Sequence, residues 1–313
     1  MNLVPEVQAY VDAQRPISPE LRDPVALRPV MTDQIDRHFV MFGQPGPEID
    51  QIVDHRMVTA GGEIVIRTYR SGTEAAVPGH VLLHGGGWMA GSIDELVLDA
   101  AARHRSAGAN CLVAAVGYRL APEHRFPAAL DDVIAAVTWV LENSGSLGVD
   151  AGRVTLEGRS AGANLAAAAL LKAADLPVAG LVLEVPALDL TGATIAEDEG
   201  RARLLRAADI YLADRSLAKS PLVSPLLAPD LGGFPPTLVL TAELDSLAPG
   251  GKLFAERLAS SGVECHHNCY SGAIHGAMLL TASWPTAKRW QDDVVAFLNQ
   301  IYSRRGDTSA STQ

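Results

Sequence analysis

Two hydrophobic periods alternate along most of this chain. Residues 53–59 and 64–69 read as strands, with Gly61-Gly62 as the turn between them. Residues 80–83 form a third short strand. Beyond them, strand-length apolar runs at 111–116, 154–157, 181–185, 237–241 and 264–269 are separated by helical periods. Those periods cover 93–107, 127–143, 161–174, 251–261 and 285–301. Runs that are apolar on both faces suit central parallel strands covered by helices on both sides. The alternation predicts an α/β fold with a mostly parallel, doubly wound sheet.

Two segments interrupt this regularity. Residues 1–50 are rich in proline, with short helical patches at 7–14 and 31–41, and hold too little periodic apolar material for a core of their own. They read as an arm packed on something else, with Phe39, Met41 and Phe42 as the side chains expected at a pocket mouth. Residues 188–225, with apolar positions at Leu204, Leu205, Ala208, Tyr211 and Leu212, read as an inserted helix or two. The main domain is then expected to span 51–302, with the polar stretch 303–313 reading as a frayed tail.

Composition narrows the class. A hydrophobic fraction of 48% over 313 residues supplies a large core and excludes a mainly disordered chain. The net charge of −11 repels phosphate backbones, so a nucleic-acid partner is not expected. The longest apolar run, 165–171, is far short of the roughly 18 residues that cross a membrane, so no membrane partner is expected either. Residues 1–6 have neither a basic nor an apolar signal region, and three cysteines make no disulfide framework. A reduced, cytoplasmic protein is the expectation.

The chemistry concentrates in a few glycine-flanked positions. Gly158-Arg159-Ser160-Ala161-Gly162 follows a strand and opens an alanine-rich helix. This is the setting of a nucleophile elbow, in which a strained turn exposes a serine above a helix N-terminus. His84-Gly85-Gly86-Gly87-Trp88 also follows a strand, and successive glycines let backbone N–H groups approach a substrate oxygen. A nucleophilic serine needs a base and an orienting acid, here expected after it and just beyond strand ends. Asp245 and His275 stand in that order, and Glu243 is the competing acid.

With these motifs, the chain resembles the hormone-sensitive lipase family of α/β-hydrolases, the bacterial esterases with an H-G-G-G loop. Residues 84–88, 118–132 (Tyr-Arg-Leu-Ala-Pro-Glu-His-Arg-Phe-Pro-Ala-Ala-Leu-Asp-Asp), 158–162, 221–226, 235–237 and 274–276 carry the likeness, which covers about residues 50–300. The resemblance implies an α/β-hydrolase fold with a helical cap built from residues 1–50 and 188–225. It implies Ser160 as nucleophile, Asp245 as acid and His275 as base. Gly86, Gly87 and Ala161 would supply oxyanion N–H groups, and His84 and the 118–132 loop would support them. Trp88, Arg159 and Leu188 are the expected substrate contacts. The implied substrate is a small ester with a short to medium acyl chain, with no cofactor or metal, and a homodimer is open to it.

Three positions depart from the family pattern. Arg159 replaces the usual acidic residue before the serine, with Ala163 in place of a glycine; Ser246-Leu247-Ala248 follows the acid; and Ala277 replaces a phenylalanine. Arg159 should either pair with Glu157, Glu184 or Glu243, or face the pocket and favour anionic esters. Other functions remain open at this level. The same triad could cleave amides, or the chain could be a non-catalytic binding member of the fold, although such members lack the histidine. A metal at Cys265-His266-His267-Asn268-Cys269 is disfavoured, because alternate residues on a strand lie about 6.6 Å apart and do not converge.

Overall fold

The computed structural model describes residues 3–15 and 23–304. The arm contributes α1 (Pro5–Asp12) and α2 (Pro24–Phe42). The hairpin β1 (Gln51–Thr59) and β2 (Gly62–Arg70) follows, then β3 (Val77–Leu83), α3 (Leu96–Ala109), β4 (Leu112–Gly117), α4 (Ala128–Glu142) and a single turn α5 (Ser144–Leu147). The second half runs β5 (Val149–Arg159), α6 (Ala161–Lys172), β6 (Gly180–Glu184), α7 (Asp198–Tyr211), β7 (Thr237–Ala242), α8 (Ala248–Ser260), β8 (Cys265–Tyr270) and α9 (Pro285–Ser303).

The strands form one sheet in the order β1-β2-β4-β3-β5-β6-β7-β8. β2 runs antiparallel to both β1 and β4, and every other pairing is parallel. The chain is therefore a mostly parallel, doubly wound sheet, as the pattern predicts. β5 starts earlier than its apolar run because Val77 and Pro78 pair with Val149 and Asp150 before the register shifts at Gly79.

Each face of the sheet carries its own core. Leu130, Val133 and Val137 of α4, most of α6, and Phe254 and Leu258 of α8 fill one face. Leu98 and Ala101 of α3 and Trp290, Val294 and Leu298 of α9 fill the other. The arm joins this second core through Val7, Tyr10 and Phe39, with Phe42 edge-on to Tyr10 at 6.1 Å. Phe39 and Phe42 are thus used for packing, while Met41 is 53% exposed. The inserted segment contains one α-helix, α7, and two 3-10 turns at Arg215–Lys219 and Pro225–Leu227. Leu204, Ala208 and Tyr211 face inward from α7 at helical spacing. Among the described residues, no helix is long and apolar enough to cross a membrane.

Candidate active site

Ser160 occupies the turn between β5 and α6 with φ 51° and ψ −110°, a conformation that side-chain-bearing residues rarely adopt. Two glycines make the turn possible. A Cβ on Gly158 would come within 2.2 Å of the Gly162 carbonyl oxygen, and one on Gly162 within 2.4 Å of the His84 carbonyl oxygen. The side chain of Ser160 is half-buried, and its main chain starts α6, with Asn164 N–H donating to its carbonyl at 3.1 Å. The first N–H groups of α6 lie immediately behind the serine, where an anion is favoured.

The glycine loop after β3 packs against this turn. A Cβ on Gly85 would sit 3.6 Å from Ser160 Cβ. Gly86, Gly87 and Trp88 have positive φ values of 112°, 61° and 61°. The loop is held from behind. Tyr118 Oη donates to the His84 carbonyl at 2.8 Å, and the two rings stack at 4.1 Å. Burial pushes the His84 imidazole down to about 4, so the ring stays neutral there. Ala121 N–H donates to the Trp88 carbonyl at 2.9 Å. Asp132 fixes the rest of the 118–132 loop by accepting the Arg119 main-chain N–H and its guanidinium, at 2.8–3.0 Å.

Asp245 and His275 follow β7 and β8 on the same end of the sheet. His275 Nδ1 lies 2.6 Å from Asp245 Oδ2. Burial raises the Asp245 carboxyl, but the charge and hydrogen bond of His275 and the Leu247 N–H outweigh it and hold it below the usual carboxylate range. Glu243 instead accepts Ser271 Oγ–H at 2.8 Å and Gly272 N–H at 2.7 Å. The geometry brings Asp245, and not Glu243, to the histidine. Helix α7 spans this end of the sheet. A Cβ on Gly200 would lie 2.6 Å from Ser246 Cβ, and one on Gly87 would lie 3.7 Å from Ala207 Cβ.

The three expected substrate contacts are placed differently. Trp88 is 1% exposed and stacks on Tyr211 at 4.7 Å, Leu188 is 1% exposed, and Arg159 is 6% exposed. All three are buried, and Trp88 and Arg159 have packing or ion-pair partners of their own. Arg159 pairs with Glu184 at 2.7 Å, one of the three partners expected for it. Two residues that the sequence pattern does not reveal also meet this site. Arg28 of α2 donates through Nε to the Met89 carbonyl at 2.6 Å and through Nη2 to the Ala121 carbonyl at 2.7 Å, and it pairs with Glu123. Asn164 of α6 donates to the Ala187 and Val223 carbonyls, both at 2.8 Å, and ties the inserted segment to the elbow helix. Among the described residues, no three His, Cys, Asp or Glu side chains are grouped to hold a metal.

Comparison with known proteins agrees with this architecture. The model of an alpha/beta hydrolase fold family matches residues 80–279. An arylesterase of Saccharolobus solfataricus is 35% identical over 243 residues, covering 74% of this chain and 78% of that protein. An ethyl acetate hydrolase of Pseudomonas putida is 32% identical over 300 residues, covering 89% and 92%. The solved structure of a Pyrobaculum calidifontis esterase superposes with a TM-score of 0.86 at 30% identity, over 96% of this chain and 99% of that one. Family match, relatives and fold concur, and the chain belongs to the α/β-hydrolases, among the hormone-sensitive-lipase-like carboxylic ester hydrolases.

Proposed function

We propose that this chain is a serine carboxylesterase acting on short- to medium-chain esters, with Ser160 as nucleophile, His275 as base and Asp245 as its orienting acid. The 2.6 Å contact of His275 Nδ1 with Asp245 carries the reading, because an Nδ1–H donated to that carboxylate leaves the lone pair on Nε2 to act as the base. In the first half-reaction His275 Nε2 takes the proton from Ser160 Oγ as Oγ bonds to the ester carbonyl carbon. The carbonyl electrons move onto oxygen, and the N–H groups of Gly86, Gly87 and Ala161 receive that charge. One such donor is worth about 3 kcal/mol in the transition state. Collapse breaks the bond to the alcohol oxygen, which leaves with the proton from His275. Water then repeats the sequence on the acyl-serine and releases the acid.

A relative named ethyl acetate hydrolase supports the short-chain assignment. Free Cys111, Cys265 and Cys269 fit a cytoplasmic setting. We further propose that α7 and the arm form the cap over the acyl pocket. The test is turnover of aryl esters from acetate upward, with organophosphate labelling. Ser160→Ala should abolish turnover and labelling, and retention of more than a few per cent of the activity would overturn the mechanism.

A further inference from the structure

Arg159 directly precedes Ser160, yet its guanidinium runs away from solvent into a buried chain of charges. Its Nε–H donates to Glu184 Oε1 at 2.7 Å and its Nη1 reaches the Val97 carbonyl at 3.5 Å, whereas Nη2 is buried without a partner. The Glu184 carboxylate is fixed from two helices. Trp290 of α9 donates its indole N–H to Oε2 at 2.6 Å, and Arg105 of α3 approaches Oε1 at 3.4 Å. Arg105 also binds Glu157, and Glu157 lies 2.9 Å from His80 Nε2. His80, Arg105, Glu157 and Glu184 are all fully buried.

The main chain of Glu184 holds the nucleophile as well, because Ser160 N–H donates to its carbonyl at 2.8 Å. Glu184 therefore grips Arg159 with its side chain and Ser160 with its backbone. Strain gathers around that grip, with Ser160 at φ 51° and Val185 at φ 42°. Positive φ at a β-branched residue is a true outlier and persists only where the surroundings over-determine it.

A further carboxyl lies beyond Arg159. Glu95 is 5% exposed, and its Oε1 is buried and unpartnered, like Arg159 Nη2. It stands at the N-cap of α3 but does not cap it; Asp36 of α2 accepts the Leu96 N–H at 2.9 Å instead. The groups facing Glu95 are Asp36 and Thr32 from α2, Arg159 from β5, and Tyr118 after β4. Burial and then Asp36 push its carboxyl up to about 7, against the pull of Arg159.

We infer that Arg159 and Glu184 are positioning residues for Ser160. The inference rests on Ser160 being the nucleophile.

The test measures the rate at which an organophosphate labels Ser160, together with kcat and KM for a short aryl ester, between about pH 5.5 and about pH 9. Removing Arg159 alone strands a buried carboxylate, so the informative variant is the double Arg159→Met/Glu184→Gln, which removes one charge of each sign. That variant should keep KM within about twofold, while labelling rate and kcat fall by about tenfold to a hundredfold. Arg159→Lys should restore part of the loss. A folded double variant labelled at the wild-type rate would overturn the inference. If Ser160 of the wild type is not labelled at all, the esterase reading itself fails, and this inference fails with it.

Discussion

Asp245 and Glu243 lie two residues apart and do different work. Asp245 is buried against His275, while exposed Glu243 closes the loop that carries the histidine. Asp245→Asn is expected to lower kcat by several orders of magnitude with the fold intact, because the imidazole loses its fixed tautomer. Glu243→Gln should lower it only slightly. Steady-state kinetics on both variants decides this, and a reversed order would shift the acid to Glu243. Asp245 and Glu95 also pull stability in opposite directions with pH. The Asp245 carboxyl lies below its ordinary range in the folded protein, so its contribution is present above the unfolded value of about 4 and is lost as pH falls below that. The Glu95 carboxyl is raised to about 7, so the folded state holds its proton between the ordinary glutamate range and neutrality. Stability therefore declines as pH rises through that window and levels off above it. Glu95→Gln should flatten this slope in urea titrations between about pH 5 and about pH 8, and an unchanged slope would show that Glu95 ionises normally.

At the scale of elements, close backbone approach is the governing constraint. A Cβ on Gly162 meets main chain at the end of β3, and neither element can yield without moving the elbow or the glycine loop. Gly162→Ala should lower kcat at least a hundredfold and destabilise the protein by about 1–3 kcal/mol. Gly145 in α5 has open space around it, so Gly145→Ala should be neutral or stabilising by up to about 1 kcal/mol. Thermal unfolding and turnover of the pair measure the contrast, and similar behaviour would contradict the packing described here. The elements themselves were legible in the sequence for an equally physical reason. Strands covered on both faces must be apolar throughout, and helices that pack on them carry one apolar stripe, so the central strands β3 to β7 announce themselves. Ser160 and Asp245 stood out as candidates because each follows such a strand, and His275 because it follows the edge strand β8. Beyond the Arg159 pairing, the charge network behind them was not legible. Glu157 and Glu184 lie inside central strands, and Arg105 lies on the buried side of α3, where a pattern of polar and apolar positions treats every charge as solvated. Their pairing across long sequence separations appears only when the sheet is assembled. The burial of Trp88 and Leu188 was not legible either, because an apolar residue beside a candidate nucleophile fits a pocket and a core equally well.

At the scale of the whole molecule, the arm determines how far the sheet and its loops suffice alone. Val7, Tyr10 and Phe39 are buried in the second core, and burying a side chain of this size stabilises by about 1.5–3 kcal/mol, against a total of roughly 5–15 kcal/mol for a domain. The arm also touches both halves of the site. A Cβ on Gly276, next to His275, would lie 3.3 Å from Tyr10 Oη, and Arg28 holds the Met89 carbonyl just after the glycine loop. A cover over the acyl pocket alone would, on removal, spare the smallest substrate. An arm that braces the base and the oxyanion loop would not. Deletion of residues 1–35 is therefore expected to lower Tm by several degrees or more and to reduce kcat on an aryl acetate at least tenfold, as much as on a longer ester. Arg28→Lys, which keeps the charge but not the forked donors to two carbonyls, should give an intermediate kcat with little change in Tm. A soluble truncation that keeps its acetate turnover and loses only the longer esters would show that the arm shapes the pocket and leaves the catalytic loops to hold themselves.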